Sequence, residues 1–262
     1  MMNISGRVAL SVVIPTYNEA ARLPRTLGEI VPYLSKRFPE YEVVVVDDSS
    51  PDGTGKVVEA LAVENPRIRL LTQPGKFGKG AALRRGCMAA MGEMVLFMDA
   101  DHATPITEIE HFVPVLAQNQ ADVVVGVRTY QEDESWGRRV IGLLGQLIAH
   151  IIVFRKAVVD SQCGFKLFTA AAVHELFPYC RVNGGMIDVE LFYLMHKKQL
   201  RCYYQPVHWK NKPGSTINIL ACMMRDPIDL LRIRLRDFMG YYEKKVPEND
   251  QPWARNTKRR QP

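Results

Sequence analysis

Along the first half of the chain, short unbroken apolar runs alternate with longer segments whose apolar residues recur every three to four positions. The runs are "VALSVVI" (8–14), "YEVVVVD" (41–47), "IRLLT" (68–72), "MVLFMD" (94–99) and "DVVVGV" (122–127). Most are rich in β-branched residues, and the first, second and fourth end at a proline or an acid, which predicts strands. A strand with no polar alternation is covered on both faces, as in a parallel sheet between helices. The segments at about 20–37, 56–64, 78–91 and 106–118 predict those helices. The chain thus reads as α/β, with a mainly parallel central sheet covered by helices. Ligands of such sheets bind at the carboxyl ends of the strands. Asp47, Asp48, Asp99 and Asp101 all fall there.

The second half is patterned differently. Residues 140–154 form an apolar segment between the basic pairs Arg138/Arg139 and Arg155/Lys156. "DSQCGFKLF" (160–168) has strand character, 187–198 predicts a helix, and "CYYQPVHW" suits an edge strand because it contains Pro206. Asp226-Pro227 reads as a helix start, a cap followed by proline at the first helical position. The polar, basic tail 246–262 predicts disorder. One folded unit is expected over 1–245, with a nucleotide-binding half at about 8–128 and an acceptor-binding half at about 129–245.

Composition narrows the classes. Of 262 residues, 47% are hydrophobic, enough for a large core, and the formal net charge of +6 points to an anionic partner. The five cysteines are widely spaced, with no C-x-x-C, so neither a disulfide framework nor a zinc site is suggested. That points to a reducing compartment. The start has no signal-peptide pattern, and no run of ~18 apolar residues predicts a membrane-spanning helix. Nucleic-acid binding would rest on charge alone, without interleaved aromatics, and is not expected.

Asp99-Ala100-Asp101 is the most informative acid pair. Residues two apart on a strand point the same way, so two carboxylates can face one divalent cation and leave positions for substrate phosphates. A solvated loop would carry the same letters. The spacing fails other patterns: "GKFGKGAA" lacks the Ser/Thr of a P-loop, and no G-x-G-x-x-G follows the first strand. "VVIPTYNEA" breaks a strand where a ligand should sit, with Tyr17 as an aromatic face and Glu19 as an acceptor. "VVVDDSSPDGT" adds Asp47 and Asp48 and a run of turn residues.

Together, "VVIPTYNE", "VVVDDSSPDGT", "GKGAALRRG" and "DAD" resemble the family 2 glycosyltransferases, whose fold is the GT-A nucleotide-sugar fold. "DADHAT", "DSQCGFKLF", "IDVELFYL" and "PGSTINIL" are similar to the branch that transfers a sugar to a polyprenyl phosphate such as dolichyl phosphate. The resemblance spans about 8–242. It implies an inverting, metal-dependent hexosyltransferase. Pro15, Tyr17, Glu19, Asp47 and Asp48 would hold the nucleoside, with Lys79 and Asp99 toward the nucleotide. Asp99 and Asp101 would bind Mg2+ or Mn2+ bridged to the donor diphosphate. Lys79 fits a surface helix start equally well.

The acceptor, a phosphate monoester with a second pKa of ~6, is largely ionised at neutral pH and needs little from a general base. It needs cations. Arg128 is the leading candidate, since arginine makes bidentate phosphate contacts. Arg138, Arg139 and Lys166 are the others. Asp160 would orient the acceptor or act as base, which puts Asp101, Arg128 and Asp160 at the chemistry. Asp188 and Glu190 would line the cleft, with capping the simpler role for Glu190. His102 is a loop histidine with no implied role. Mannosyl-transferring relatives carry a Gln where Ala103 stands, so glucose from UDP-glucose is expected, with GDP-mannose or a soluble acceptor as alternatives. Thr216 replaces the lysine usual after Gly214-Ser215.

A polyprenyl phosphate requires a membrane surface. After Pro227, the residues Ile228, Leu231, Leu235, Phe238, Met239 and Tyr242 fall on one helical side, and Asp229, Arg232 and Arg236 on another. That pattern suits an interfacial helix, although a core-packed terminal helix would share it. Peripheral binding at the cytoplasmic face of a membrane is the resulting expectation.

Overall fold

The computed structural model describes residues 8–129, 163–210 and 219–254. Arg138, Arg139, Asp160, the apolar segment 140–154 and Gly214-Ser215-Thr216 lie outside the described residues. The first half alternates as the pattern predicts: β1 (Leu10–Thr16), α1 (Leu23–Arg37), β2 (Tyr41–Asp47), α2 (Thr54–Glu64), β3 (Ile68–Thr72), α3 (Lys79–Ala89), β4 (Met94–Met98), α4 (Ile109–Ala117) and β5 (Val123–Thr129). The second half supplies β6 (Phe165–Thr169), α5 (Ala170–Leu176), α6 (Ile187–Lys197), β7 (Cys202–His208) and α7 (Ile219–Phe238).

The seven strands form one sheet in the order β3-β2-β1-β4-β6-β5-β7. Neighbours run parallel except at β6, which is antiparallel to both β4 and β5. Each central strand sends alternate residues to opposite faces. Val13, Val44, Val46, Val95 and Phe97 join one core cluster, which includes Leu83 of α3 and Leu191 of α6. Val12, Ile14, Val43, Val45, Leu96 and Met98 join the other, which includes Leu27 of α1 and Phe112 of α4. Double-sided burial is why these runs lack polar alternation. Each Val- or Leu-sized side chain removed from water contributes ~1.5–3 kcal/mol before entropy is counted.

Pro15 lies inside a central strand, where a missing N–H is normally excluded. β1 pairs with β4 only over Leu10–Val13, so Pro15 sits beyond that ladder. β7 is an edge strand, which accommodates Pro206.

Two expectations are corrected. α7 begins at Ile219, well before Asp226-Pro227, so the cap-and-proline signal falls inside the helix. The backbone there tolerates a proline at the loss of one helical hydrogen bond. Nor is the tail free from 246 onward. Val246 N donates to Pro178 O, a short 3-10 turn covers Glu248–Asp250, and Gln251 is buried.

Candidate active site

The carboxyl ends of β1, β2 and β4 meet at one end of the sheet. The residues that turn the chain there have left-handed backbones without being glycine: Asn18 (φ 59), Ser49 (φ 61) and His102 (φ 52). Such conformations are rare for side-chain-bearing residues and need surrounding contacts to hold them. The loops supply these. Asn18 N donates to Ser50 Oγ, Glu19 N to Thr54 Oγ1 and Ala20 N to Asp52 Oδ2, lacing the β1 and β2 loops together.

The acids after β2 face inward. Both are buried. Asp47 accepts from Ser50 Oγ and, at 3.2 Å, from Ser50 N. Asp48 Oδ1 accepts from Gln73 Nε2 (3.0 Å) and Phe77 N (2.8 Å), and Oδ2 from Gly78 N (2.7 Å). Burial raises the Asp48 pKa, and these donors oppose that. These bonds make Asp48 an anchor of the 73–78 loop. Glu19 is nearly buried and engaged bidentately by Arg22, at 2.8 and 2.7 Å. Tyr17 follows β1, and Lys76 Nζ stands 3.7 Å from its ring centroid.

The acids after β4 face a pocket. Asp99 and Asp101 line it together with Met98, Ala103, Thr104, Gly164, Phe165 and Trp209, around a small space open to solvent. Asp99 N donates to Gly164 O (3.1 Å), and a Cβ at Gly164 would strike the Asp99 carboxylate. Glycine in "QCGF" thus leaves room for the Asp99 carboxylate, which a larger residue would have to push aside. Thr26 Oγ1 donates to Ala100 O and pins the loop to α1. Asp101 Oδ1 accepts from Ala103 N at 3.0 Å. His102 is occupied structurally: Ile106 N donates to its Nε2, so Nδ1 carries the proton shared with Glu29.

Lys79 opens α3 and aims into this pocket. Its Nζ lies 2.9 Å from Asp99 Oδ1 and 3.6 Å from Asp188 Oδ2, so it is no ordinary surface residue. Burial disfavours its charge, but Asp99 and Asp188 outweigh that and hold its pKa up. Asp99 is raised by burial against the pull of Lys79. Asp188 also suffers burial, but Lys166 and Lys79 together hold its carboxyl below the usual range.

Lys166 is the second correction at this site. It was expected at the acceptor phosphate, yet it is wholly buried in β6. Its Nζ donates to Asp188 Oδ1 and Cys163 O, both at 2.6 Å. An ammonium sealed in the core and paired with Asp188 does not reach a substrate; it supports Asp188 from beneath. Glu190 does not cap a helix: it anchors the loop before α6, accepting from the N–H groups of Arg181 and Val182 and from Tyr242 Oη (2.6 Å).

Arg128 lies at the end of β5, its guanidinium 5.4 Å from the Trp209 ring that lines the same pocket. Trp209 and Lys76 carry no sequence motif of their own. Their only signal is position, directly after a strand and in the glycine-bearing loop before α3.

The residues at this pocket fit a divalent cation of the hard, oxygen-seeking kind. Among the described residues no cluster of three or more metal-ligating side chains exists, so protein ligation would rest on Asp99 and Asp101. Few protein ligands plus phosphates and water is how Mg2+-type sites are commonly built.

Comparisons with known proteins follow this geometry. The sequence pattern of glycosyl transferase family 2 matches residues 11–177. A dolichyl-phosphate beta-glucosyltransferase of Trichomonas vaginalis is 38% identical over 87% of this chain and 73% of its own length. The Homo sapiens protein of that name is 35% identical over 88% of this chain and 76% of its own. Among solved structures, glucosyl-3-phosphoglycerate synthase from Mycobacterium tuberculosis, in complex with Mn2+, UDP-glucose and phosphoglyceric acid, superposes with a TM-score of 0.67. It shares 19% identity, covering 93% of this chain and 81% of that one. Mannosyltransferase PcManGT from Pyrobaculum calidifontis, in complex with GDP-Man and Mn2+, gives 0.62 at 21% identity over 96% and 69%.

Proposed function

The chain belongs to glycosyl transferase family 2 and is a glycosyltransferase of GT-A fold, and on that premise we propose that it moves glucose from UDP-glucose onto a dolichyl or related polyprenyl phosphate at a membrane surface. The observation that carries the reading is the pocket where Asp99 and Asp101 stand beside Lys79 at the end of β4. Relatives named for this activity at up to 38% identity support the donor and the acceptor. Ala103 lines the pocket without a ligating side chain, in keeping with the glucosyl expectation.

In the proposed reaction, an acceptor phosphate oxygen attacks the anomeric carbon of glucose. The bond from that carbon to the UDP oxygen breaks, UDP leaves with the electron pair, and the anomeric configuration inverts. A bound Mg2+ or Mn2+ would neutralise charge on the departing diphosphate. Asp99 and Asp101 would hold it. Lys79 adds a fixed positive charge at the same place, already aimed and needing no reorganisation. Arg128, beside Trp209, would hold the acceptor phosphate, joined by Arg138 and Arg139. Asp160 would orient the acceptor. Tyr17 and Glu19, with the loop anchored by Asp47 and Asp48, would frame the nucleoside.

The membrane surface finds support in α7. Leu230 and Ile233 bury one face, while Ile228, Leu231, Leu235, Phe238 and Met239 are all at least half exposed on the other, Phe238 at 89%. Tyr242 does not belong to that stripe, because it is buried against Glu190. Exposed apolar side chains beside Arg232 and Arg236 match an interfacial helix on an anionic leaflet. Among the described residues, no helix is long and apolar enough to cross a membrane.

The test is release of UDP from UDP-glucose with Mn2+, with and without polyprenyl phosphate in liposomes. The reading expects lipid-stimulated release and glucose recovered in the lipid phase. Equal turnover with GDP-mannose, or none with any lipid phosphate, overturns it.

A further inference from the structure

Arg84 is a large buried side chain, 2% exposed, in the middle of α3. Among the described residues no carboxylate lies within ion-pair distance of it. Its guanidinium instead donates to three neutral oxygens on two separate segments: Nε to Gln251 Oε1, and Nη1 to Cys180 O and Nη2 to Asn183 Oδ1 of the 180–183 loop, each at 2.9 Å. Trp253 stacks near it, with the ring centroid 5.3 Å from Cζ. A buried cation that spends its hydrogen bonds on neutral oxygens, with Glu190 acting on it only at longer range, is a costly way to fix a chain end, and an apolar plug would hold it more cheaply. What the fork adds is direction, because its donors fix three acceptors in one geometry.

Those acceptors lead to the donor site. Asn183 O accepts from Gly80 N (2.8 Å) and Ala81 N (3.2 Å), the first turn of α3. Contact there is backbone on backbone. A Cβ at Gly78 would meet Asn183 O, and one at Gly80 would meet Val182 O. Gly78, at φ +106, also donates its N–H to Asp48. Lys79 lies between these two glycines, so its Cα is set by the 181–184 loop on one side and Asp48 on the other. Gln251, 1% exposed, reaches Arg84 from a segment that Val246 ties to Pro178.

We propose that the C-terminal segment 246–254 is a positioning element of the donor site. Through Gln251 and Arg84 it holds Asn183 against Gly80 and Ala81, and so aims Lys79 at Asp99 and the donor diphosphate. This rests on the reading of the pocket as a UDP-glucose site.

The experiment compares wild type, Gln251→Ala and Gln251→Glu by calorimetric titration with UDP-glucose plus Mn2+ and with uridine, and by steady-state kinetics. Gln251→Ala is expected to weaken UDP-glucose binding about 5–10-fold, or ~1–1.4 kcal/mol. Uridine affinity and acceptor KM stay within twofold, because Lys79 faces the diphosphate only, while kcat falls along with donor affinity because Lys79 also offsets charge on the departing diphosphate. Gln251→Glu, which keeps an acceptor for Arg84, restores donor affinity. Unchanged UDP-glucose affinity in Gln251→Ala, or an equal loss for uridine and diphosphate, overturns the strap while leaving the functional reading standing. A wild-type protein that binds no UDP-glucose overturns that reading itself, and the strap with it.

Discussion

The ends of β2 and β4 carry the same kind of signature, two acids after a buried strand, and the structure uses them in opposite ways. Asp47 and Asp48 are closed in by Ser50, Gln73 and the N–H groups of Phe77 and Gly78. Asp99 and Asp101 look into a pocket, with Lys79 rather than backbone donors on Asp99. One pair builds a loop; the other is left able to take a ligand. Counting the hydrogen bonds on each oxygen separates anchor from ligand, whereas the letters do not.

The difference predicts opposite signatures on mutation. Asp101→Asn keeps the shape of the loop but removes the charge at the pocket. Turnover should fall about 10²–10³-fold, the scale of losing one preorganised electrostatic contact, with little change in thermal midpoint. Steady-state rates and a melting scan on the same sample check both halves. Lys79→Met comes next: Asp99 and Asp188 lose their common cation, so affinity for UDP should drop by about tenfold, ~1.4 kcal/mol, while uridine binds as before. Calorimetry on the two ligands reads this.

Asp48→Asn should show the reverse balance. An amide presents an N–H₂ where the carboxylate accepted from N–H groups, so ~1–3 kcal/mol of stability is lost, visible as a lower denaturation midpoint. A rate loss greater than that of Asp101→Asn would erase the distinction between the pairs. The smallest effect expected is for Tyr242→Phe, which removes one donor from Glu190 and costs ~1 kcal/mol without altering donor affinity. In a flotation assay with anionic liposomes, Leu231→Glu should reduce membrane binding and leave the melting midpoint in place, since Leu231 is 59% exposed.

Much of the frame is readable from the pattern alone. β1, β2, β4 and β5 are nearly continuous apolar runs, and local pattern reports burial on both faces well. The antiparallel β6 and the early start of α7 are set by packing partners far away in sequence, which no local signal carries. Lys166 shows why the site was harder. A lysine in an apolar strand looks like a cleft residue until its partner, Asp188, 22 residues later, is seen to neutralise it. The tail fails for the same reason on a larger scale: polar, proline-bearing residues suggest disorder, but Gln251 meets Arg84 across 167 positions. Gly164 was present in the sequence, yet only the structure shows that the Asp99 carboxylate occupies the space a Cβ there would take.

The most direct measurement is transfer of labelled glucose from UDP-glucose into polyprenyl phosphate liposomes, by wild type and Asp101→Asn, with Mn2+ and with EDTA. The pocket at the end of β4 predicts lipid-linked glucose from wild type with Mn2+ only, and at most about a hundredth of that rate from Asp101→Asn. Full transfer in EDTA, or by Asp101→Asn, would contradict it.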